Sequence, residues 1–285
     1  MMRIFKLLIS FSFWCVTGSW SQLKRLFGRK SKGTCTVLYY HAIPPSQRED
    51  FAQQMDLLLK CAKPVRADLT DPLNAGSHST VVTFDDGYNS VAENALPELE
   101  KRGIPATIFI VTRLLGQSPG WLGEKYAASK SEIAMTAEQL RALPGKLITL
   151  GSHTMTHPRL TELGVADSTK EIVESRRELE KLVGQPVTLF SFPFGLFNQE
   201  LVRICHEAGY QRAFTTIPSA AFSEPGEFLT GRVGVDPTDW PIEFRLKVLG
   251  AYWWTQWLSV IKHKVLSPWR ERGAMSRDIK ESTAN

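Results

Sequence analysis

Two adjacent aspartates, Asp85 and Asp86, follow the apolar residues 81–84 and precede Gly87. A β-branched and aromatic run that ends at a glycine predicts a buried strand with a sharp turn after it. Because neighbouring side chains on a strand point in opposite directions, one carboxylate could bind a cation while the other handles a proton. The alternative is that Asp86 is the N-cap of a helix.

A second group of chemically active residues is the pair His153 and His157, which are four residues apart. On one helical turn this spacing directs both imidazoles to the same side, as in other His-x-x-x-His metal sites. A carboxylate from another strand would complete a two-histidine, one-carboxylate site for Zn²⁺ or another divalent transition metal. Such a metal polarises a carbonyl and lowers the pKa of bound water, and the second aspartate would then accept the proton.

The elements that must position these residues alternate between strands and helices. This alternation predicts a mainly parallel sheet, either open or closed into a barrel, with the active site at the carboxyl ends of the strands. His41, the aspartate pair, His153 and Pro193-Phe194 each follow a predicted strand directly. An acid for a leaving group (His41) and a backbone N–H for an oxyanion (near Phe194) would therefore lie on the same face. The predicted strands are residues 34–40, 81–84, 106–112, 147–150, 186–192, 213–216 and 228–235, and the main predicted helices are residues 48–61, 89–102, 166–183 and 199–208.

Three motifs carry a resemblance to a known family. Residues 83–87 (Thr-Phe-Asp-Asp-Gly), residues 152–157 (Ser-His-Thr-x-x-His) and residues 192–195 (Phe-Pro-Phe-Gly) occur in the order found in polysaccharide deacetylases, the NodB-homology domain of carbohydrate esterase family 4. The resemblance covers residues 34–240. It implies a deformed (β/α) barrel and a metal-dependent removal of acetyl groups from N-acetylated sugars, or of O-acetyl groups in some members.

The resemblance also implies roles for individual residues. Asp85 matches the catalytic base, and the metal ligands would be Asp86, His153 and His157. The backbone N–H of Phe194, after Pro193, matches the oxyanion donor. The segment that ends at His41 precedes the aspartate pair, as in the circularly permuted Tyr-His branch of the family, in which His41 would be the general acid.

The sequence departs from the family pattern beside the catalytic base. Many members carry an arginine that steadies the base, and Ser191 stands at that position here. Our hypothesis is that Arg232, from another strand end, takes its place. Asp239 and Trp240 resemble a family motif in which the acid assists the catalytic histidine and the tryptophan lines the sugar pocket. The alternative for Asp239 is the N-cap of a helix that starts at Pro241.

The two ends of the chain are basic, and its middle is acidic. The chain has 285 residues and a formal charge of +5, and residues 1–33 carry seven Lys and Arg but no acid. Residues 245–285 are also basic and contain four tryptophans and a tyrosine, so residues 34–244, the predicted catalytic domain, are net acidic. An acidic domain argues against a nucleic-acid partner, because a basic footprint would have to lie on the domain itself.

The basic ends predict association with an anionic membrane surface in a bacterial cell envelope, on a side that the sequence leaves open. The apolar residues 7–20 are too few to span a bilayer, which takes about 20 residues. For the C-terminal aromatic residues the alternative is that they pack on the domain.

The predicted function is a metal-dependent deacetylation, with zinc as the first choice of metal. The predicted substrate is an N-acetylhexosamine unit of a glycan or lipid-linked saccharide. Two alternatives stay open: hydrolysis of a non-sugar amide, and an inactive membrane-associated protein that binds glycans.

Overall fold

The computed structural model describes residues 2–27, 32–71, 73–120 and 132–257. The predicted C-terminal basic tail lies outside these residues. The nine strands in the described part are β1 (Thr34–Tyr40), β2 (Lys63–Pro64), β3 (His78–Phe84), β4 (Ala106–Ile110), β5 (Ile148–Ser152), β6 (Leu189–Ser191), β7 (Arg212–Thr215), β8 (Leu229–Gly231) and β9 (Val233–Gly234).

All strands pair in parallel, in the order β8-β7-β6-β5-β4-β3-β1-β9, and β2 pairs with β3. The two ends of this order, β8 and β9, are separated along the chain by a single residue, Arg232. Because one residue connects the two outer strands, the sheet must curve until its edges meet. The fold is therefore a nearly closed, deformed (β/α) barrel, as the sequence predicted. The prediction of one continuous strand over residues 228–235 was wrong. Residues 229–231 form β8 at one edge of the sheet, and residues 233–234 form β9 at the other edge.

Two of the helices outside the barrel begin at residues that are typical N-caps in the sequence. Thr136 forms a capping box with Gln139 at the start of residues 137–142, and Asn198 caps residues 199–207 by accepting the N–H of Leu201. Pro97 interrupts the helix predicted for residues 89–102: a π-helical turn, Val91–Ala95, comes first, and the α-helix starts beside the proline, which has no N–H to lose there. The helices are α1 (Met2–Leu26), α2 (Arg48–Cys61), α3 (Leu96–Arg102), α4 (Ala137–Ala142), α5 (Val165–Val183), α6 (Gln199–Glu207) and α7 (Pro241–Val248).

The C-terminal part of the domain continues beyond the boundary predicted at residue 244. That boundary falls inside α7, whose residues Leu246 and Val248 belong to the main hydrophobic core. Tyr252 is buried in the same core and Trp253 packs against it, so these aromatic residues pack on the domain, whereas Trp257 is exposed. Helix α1 packs against α7. Within the described residues, no helix has the length and apolarity that a membrane crossing requires.

Candidate active site and metal centre

The carboxyl ends of β1, β3, β5 and β6 bring the predicted site residues to one rim of the barrel. The Asp85 N–H donates to the Tyr40 carbonyl at 3.0 Å, which fixes the end of β3 against β1. The His153 N–H donates to the Ile110 carbonyl at 2.8 Å, which fixes the end of β5 against β4. The backbone ladder of the sheet thus places the aspartate pair and the first histidine.

Asp85 is held by Arg232 through two parallel hydrogen bonds. Arg232 Nη1 donates to Oδ1 at 2.7 Å and Nη2 donates to Oδ2 at 2.8 Å. The Ser191 hydroxyl accepts from Nη2 at 2.8 Å and lies 3.4 Å from Asp85 Oδ1. Burial acts to raise the pKa of Asp85, but the charge and hydrogen bonds of Arg232 outweigh it and hold the pKa well below its usual range. Asp85 is therefore a buried carboxylate that stays ionised.

Arg232 is itself immobilised by the barrel interior. Its side chain is fully buried, and its Nε donates to the Thr215 carbonyl at 3.3 Å. The guanidinium carbon lies 4.8 Å from the ring centre of Tyr39 and 5.4 Å from that of Phe109. A planar cation between aromatic rings and a carboxylate is pre-organised for a two-pronged contact. The structure thus places the guanidinium of Arg232 where our hypothesis required a partner for Asp85.

Asp86 has a different environment from its neighbour. Its backbone is left-handed, with φ 70°, and its carboxylate is 4% exposed. Oδ1 lies 3.6 Å from Nε2 of His153 and 3.4 Å from Nε2 of His157. This oxygen is buried and has no hydrogen-bond partner in the described part of the chain. Burial raises the pKa of Asp86, against the opposing influence of His41 and His153.

The two histidines lie on a tight loop after β5, so the helical turn predicted for them was wrong. Thr154 and His157 have left-handed backbones, with φ 71° and 61°. Glu171 of α5 braces this loop: its carboxylate accepts the N–H groups of Met155 at 2.8 Å and Thr156 at 3.0 Å, and the Thr156 hydroxyl at 2.7 Å. Backbone strain together with a buried carboxylate brace is typical of a loop that is built to hold side chains in place.

The residues Asp86, His153 and His157 fit a divalent transition metal. Their ligand atoms all lie within 4.8 Å of one another. Tetrahedral ligands of zinc lie about 3.3–3.6 Å apart at normal bond lengths, which is the spacing from Asp86 Oδ1 to both Nε2 atoms. Nδ1–H of His153 donates to the Ser191 carbonyl at 2.7 Å, which leaves the lone pair of Nε2 for a metal. Burial lowers the pKa of His157 to about 2, so this imidazole is neutral, as a ligand must be.

Pro193 and Phe194 form the opposite wall of the rim. Pro193 is buried, and Phe194 has a left-handed backbone, with φ 57°. The Phe194 ring is 42% exposed and stands edge-on to His157, with 4.6 Å between ring centres. The guanidinium of Arg159 lies 4.5 Å from the centre of the same ring. Of the five non-glycine residues with positive φ in the described ranges, four belong to this rim: Asp86, Thr154, His157 and Phe194.

His41, near the aspartate pair, and Trp240, which follows β9, are both exposed. His41 is exposed, stands edge-on to Tyr39 with 5.7 Å between ring centres, and is within electrostatic reach of Asp85 and Asp86. Trp240 is 43% exposed beneath the guanidinium of Arg3, which lies 4.4 Å from its ring. An exposed imidazole and an exposed indole beside a buried polar centre could contact a solvent-borne substrate.

Asp239 does not cap α7. The N-cap of that helix is Trp240, with no side-chain hydrogen bond, so the capping alternative was wrong. Asp239 Oδ2 accepts from Lys247 Nζ at 2.7 Å and from the Asp236 N–H at 3.0 Å, and Oδ1 lies 3.8 Å from Arg3. These contacts tie Asp239 to α7 and α1.

Two residues of the site carried little signal in the sequence. Ser191 is a departure from the family pattern, and that pattern did not indicate that its hydroxyl contacts both Arg232 and Asp85. The polar pattern of residues 166–183 predicts Glu171 on the solvent side of its helix, together with Glu174 and Glu178. That prediction is wrong for Glu171, because it is 9% exposed beneath the histidine loop. A polar residue one helical turn from the buried Ser168 and Ser175 is the pattern that could have indicated a polar inner face.

Comparisons with solved structures give the same barrel fold. IcaB from Ammonifex degensii has a TM-score of 0.63 at 24% identity, over 78% of this chain and 97% of that chain. The Streptococcus pyogenes deacetylase PplD, solved in complex with acetate, has a TM-score of 0.63 at 21% identity, over 76% of this chain and 99% of that chain. The TM-scores show that these two proteins share the fold of this chain.

Sequence comparisons then give the family. The family model described as polysaccharide deacetylase matches residues 73–213. YxkH of Bacillus subtilis, which its name assigns to the polysaccharide deacetylases, is 29% identical over 212 residues, 70% of this chain and 71% of that protein. The poly-β-1,6-N-acetyl-D-glucosamine N-deacetylase of Staphylococcus epidermidis is 24% identical over 164 residues, and the chain spans about half, 54%, of its length. This chain belongs to the polysaccharide deacetylase family, the NodB-homology hydrolases.

Proposed function

We propose that the protein removes N-acetyl groups from N-acetylhexosamine units of a glycan or lipid-linked saccharide, with one divalent metal ion, Zn²⁺ in the first place. The observation that carries the proposal is the pairing of an ionised carboxylate, Asp85, with an adjacent ligand set of Asp86, His153 and His157. The names of relatives support the substrate class: chitooligosaccharide deacetylase in Sinorhizobium fredii and the N-deacetylase of Staphylococcus epidermidis.

In this proposal the ligand set would hold the metal, which supplies Lewis acidity toward the acetyl carbonyl and toward water. Asp85 acts as the general base that takes a proton from the attacking water. The ion pair with Arg232 keeps Asp85 ionised before each turnover, and Arg232 and Ser191 keep it oriented. The proton acceptor and the ligand set are thus supplied by adjacent residues.

The remaining groups of the rim have roles in bond breaking and substrate placement. The Phe194 N–H is the proposed donor to the oxyanion, and the left-handed backbone fixes its direction. His41 is the proposed acid that protonates the departing amine nitrogen. Its exposed position gives it contact with both solvent and substrate. Trp240 is proposed to stack on the sugar ring, since its indole is exposed.

The proposal includes a location at a membrane of the bacterial cell envelope. Its support is the basic, acid-free N-terminal segment and the exposed apolar side chains on α1. A saccharide carried on a lipid would meet the enzyme there.

Acetate release from purified full-length protein tests the reaction. We expect release from N-acetylchitooligosaccharides and poly-β-1,6-N-acetylglucosamine, loss after treatment with a chelator, and recovery on addition of Zn²⁺. Asp85→Asn should lower turnover by about 10²–10⁴-fold, the usual contribution of a general base, while retaining bound metal by elemental analysis. Turnover in Asp85→Asn equal to that of the unaltered protein would remove Asp85 from this role.

A panel of small acetylated amides accompanies the sugars. Release from those amides alone would support the alternative amide hydrolase. Binding of the oligosaccharides without release of acetate, in a metal-loaded sample, would support the inactive glycan-binding alternative.

A further inference from the structure

Helix α1 exposes an apolar face to solvent. Ile4, Phe5, Leu8, Phe11 and Val16 are between 48% and 68% exposed. At 100° per residue they occupy an arc of about 140° on the helix. Soluble proteins rarely expose contiguous apolar surface of this kind without a partner for it.

The other side of the same helix is docked on the catalytic domain. Ser10 is fully buried and its hydroxyl accepts from Trp254 Nε1 at 2.9 Å. Arg3 Nε donates to Glu243 of α7 at 2.6 Å, and Leu7 packs against the main core. Because one face is fixed to protein, lipid or a partner can cover only the exposed face.

Charge decides between the possible occupants of this face. Residues 1–33 carry seven Lys and Arg and no acid. On α1, Arg3 is paired with Glu243 on the docked face, whereas Lys6 is exposed. A second copy seated on the same face would bring two basic segments together, and like charges at short range repel. An anionic lipid surface accommodates the apolar face and attracts the net positive charge of residues 1–33.

We propose that α1 binds in the plane of an anionic bilayer through its exposed apolar face while its other face stays docked on α7. The helix then holds the catalytic domain at the bilayer surface. The long axis of α1 lies along the bilayer surface, because the contacts of Arg3 and Ser10 to the domain are retained.

The same helix contacts the segment that carries Trp240, the residue to which the proposed function assigns contact with the sugar. The guanidinium of Arg3 lies 4.4 Å from the ring of Trp240 and its Nη2 donates to the Thr238 carbonyl at 3.1 Å. A bilayer bound by the exposed face of α1 is therefore separated from Trp240 by the width of that helix, about 10 Å. It follows, and this step rests on the proposed function, that the substrates are saccharides held at a membrane surface.

Vesicle sedimentation with the full-length protein tests the proposal. We expect binding to vesicles of phosphatidylcholine with phosphatidylglycerol, weaker binding to pure phosphatidylcholine, and a decrease with salt. Leu8→Glu and Phe11→Glu should each lower the partition coefficient roughly tenfold or more, since each removes a side chain worth about 1.5–3 kcal/mol on burial. The matched control is Val165→Glu, at a residue of α5 that is 58% exposed; it should bind as the unaltered protein does.

Activity on two substrates separates this proposal from the reaction itself. Leu8→Glu should release acetate from a soluble oligosaccharide at the normal rate and lose rate on an N-acetylglucosaminyl lipid in vesicles. Normal vesicle binding by Leu8→Glu and Phe11→Glu would overturn the proposal, as would absence of binding to the mixed vesicles. A dimer in solution that these variants dissociate would assign the face to a second copy and would also overturn it. Absence of acetate release from every substrate, with intact vesicle binding, would count against the proposed function alone.

Discussion

Asp85 and Asp86 are neighbours in the chain and opposites in environment. Both are buried carboxylates at the end of β3. Asp85 accepts two hydrogen bonds from Arg232, and this arginine lowers its pKa despite burial. Asp86 turns into the left-handed region, and its Oδ1 faces two imidazoles without a donor, so its pKa is raised.

The difference shows that environment assigns the role of a carboxylate more than residue type does. A carboxylate with a complete set of donors contributes to folding as well as to chemistry. A carboxylate without donors costs stability until a cation arrives. Mutations that break the Arg232–Asp85 pair and mutations that remove the charge of Asp86 should therefore have opposite effects on the stability of the metal-free protein.

The largest expected effect is that of Arg232→Met. Removing one partner of a buried ion pair leaves the other charge uncompensated, so the free energy of unfolding should fall by about 3–5 kcal/mol, and turnover should fall with it. Urea denaturation followed by circular dichroism measures the first quantity. The matched control is Arg203→Met, because Arg203 also bridges two carboxylates, Glu200 and Glu207, but on the surface; there we expect little change.

The loss in Arg232→Met should also depend on pH. The folded-state pKa of Asp85 lies below the unfolded value of about 3.9, so the ion pair contributes stability above that pH and loses it as the pH falls through the folded pKa. In the variant, burial raises the pKa of Asp85 instead. The stability difference should therefore narrow as the pH falls from the raised pKa of Asp85 in the variant toward its low pKa in the unaltered protein, and a difference independent of pH would contradict the role of this pair.

Asp86→Asn should have the opposite effect on the metal-free protein. The change removes the charge of a buried carboxylate whose Oδ1 has no hydrogen-bond partner among the described residues, and such an unsatisfied group costs about 1–3 kcal/mol. In the presence of a chelator we expect the variant to be at least as stable as the unaltered protein. With Zn²⁺ present the unaltered protein should gain stability and the variant should not. Thermal unfolding with and without metal measures both, and a destabilised metal-free variant would contradict the comparison.

Glu171→Ala should weaken metal binding without removing a ligand. Its carboxylate holds the N–H groups of Met155 and Thr156, between the two histidines. Loss of an outer partner of this kind lowers metal affinity by about 10–100-fold. Titration with Zn²⁺ against a competing chelator gives the affinity, and Glu171→Gln should recover part of it. Glu174→Ala, on the same helix but paired with Arg177 at the surface, should leave the affinity unchanged.

The smallest expected effect is that of Ser191→Ala. It removes one acceptor from Arg232 but leaves both hydrogen bonds to Asp85. A hydrogen bond to a charged group contributes about 1.5–3 kcal/mol. Because Arg232 keeps its other partners, we expect a loss of about 1.5 kcal/mol in unfolding free energy and a decrease in turnover of less than about tenfold. A loss as large as that of Arg232→Met would show that the serine, and not the ion pair, holds the base.

Local patterns in the sequence were enough to predict most of the barrel. The β-branched run of β1 and the helical spacing of α2 gave those two elements with the observed bounds. The strand-end rule placed His41, Asp85 and His153 on one rim, because it depends only on parallel order. The metal and the acetylated substrate class came from the family resemblance, and the roles of the site residues stay predictions.

The sequence could not show features that depend on partners far along the chain. The run around Arg232 has the pattern of one strand, and only pairing with β7 on one side and β1 on the other divides it. Glu171 has the pattern of a surface residue, and only the N–H groups of the histidine loop explain its burial. The helical turn predicted for His153 and His157 was wrong because left-handed residues form a tight loop at that spacing.

Because Arg232 lies between β8 and β9, it takes its place beside Asp85 when these two strands close the barrel. A chain whose sheet has not yet closed has Asp85 and the proposed metal ligands in sequence, but it lacks the two hydrogen bonds by which Arg232 orients Asp85. Acetyl transfer to water should therefore begin only in molecules that have closed the barrel. The residues matched by the family model end at 213 and begin at 73, so both strands that meet at this closure lie outside them. A fragment with those bounds would show every signature motif and lack the arginine that holds Asp85 in place.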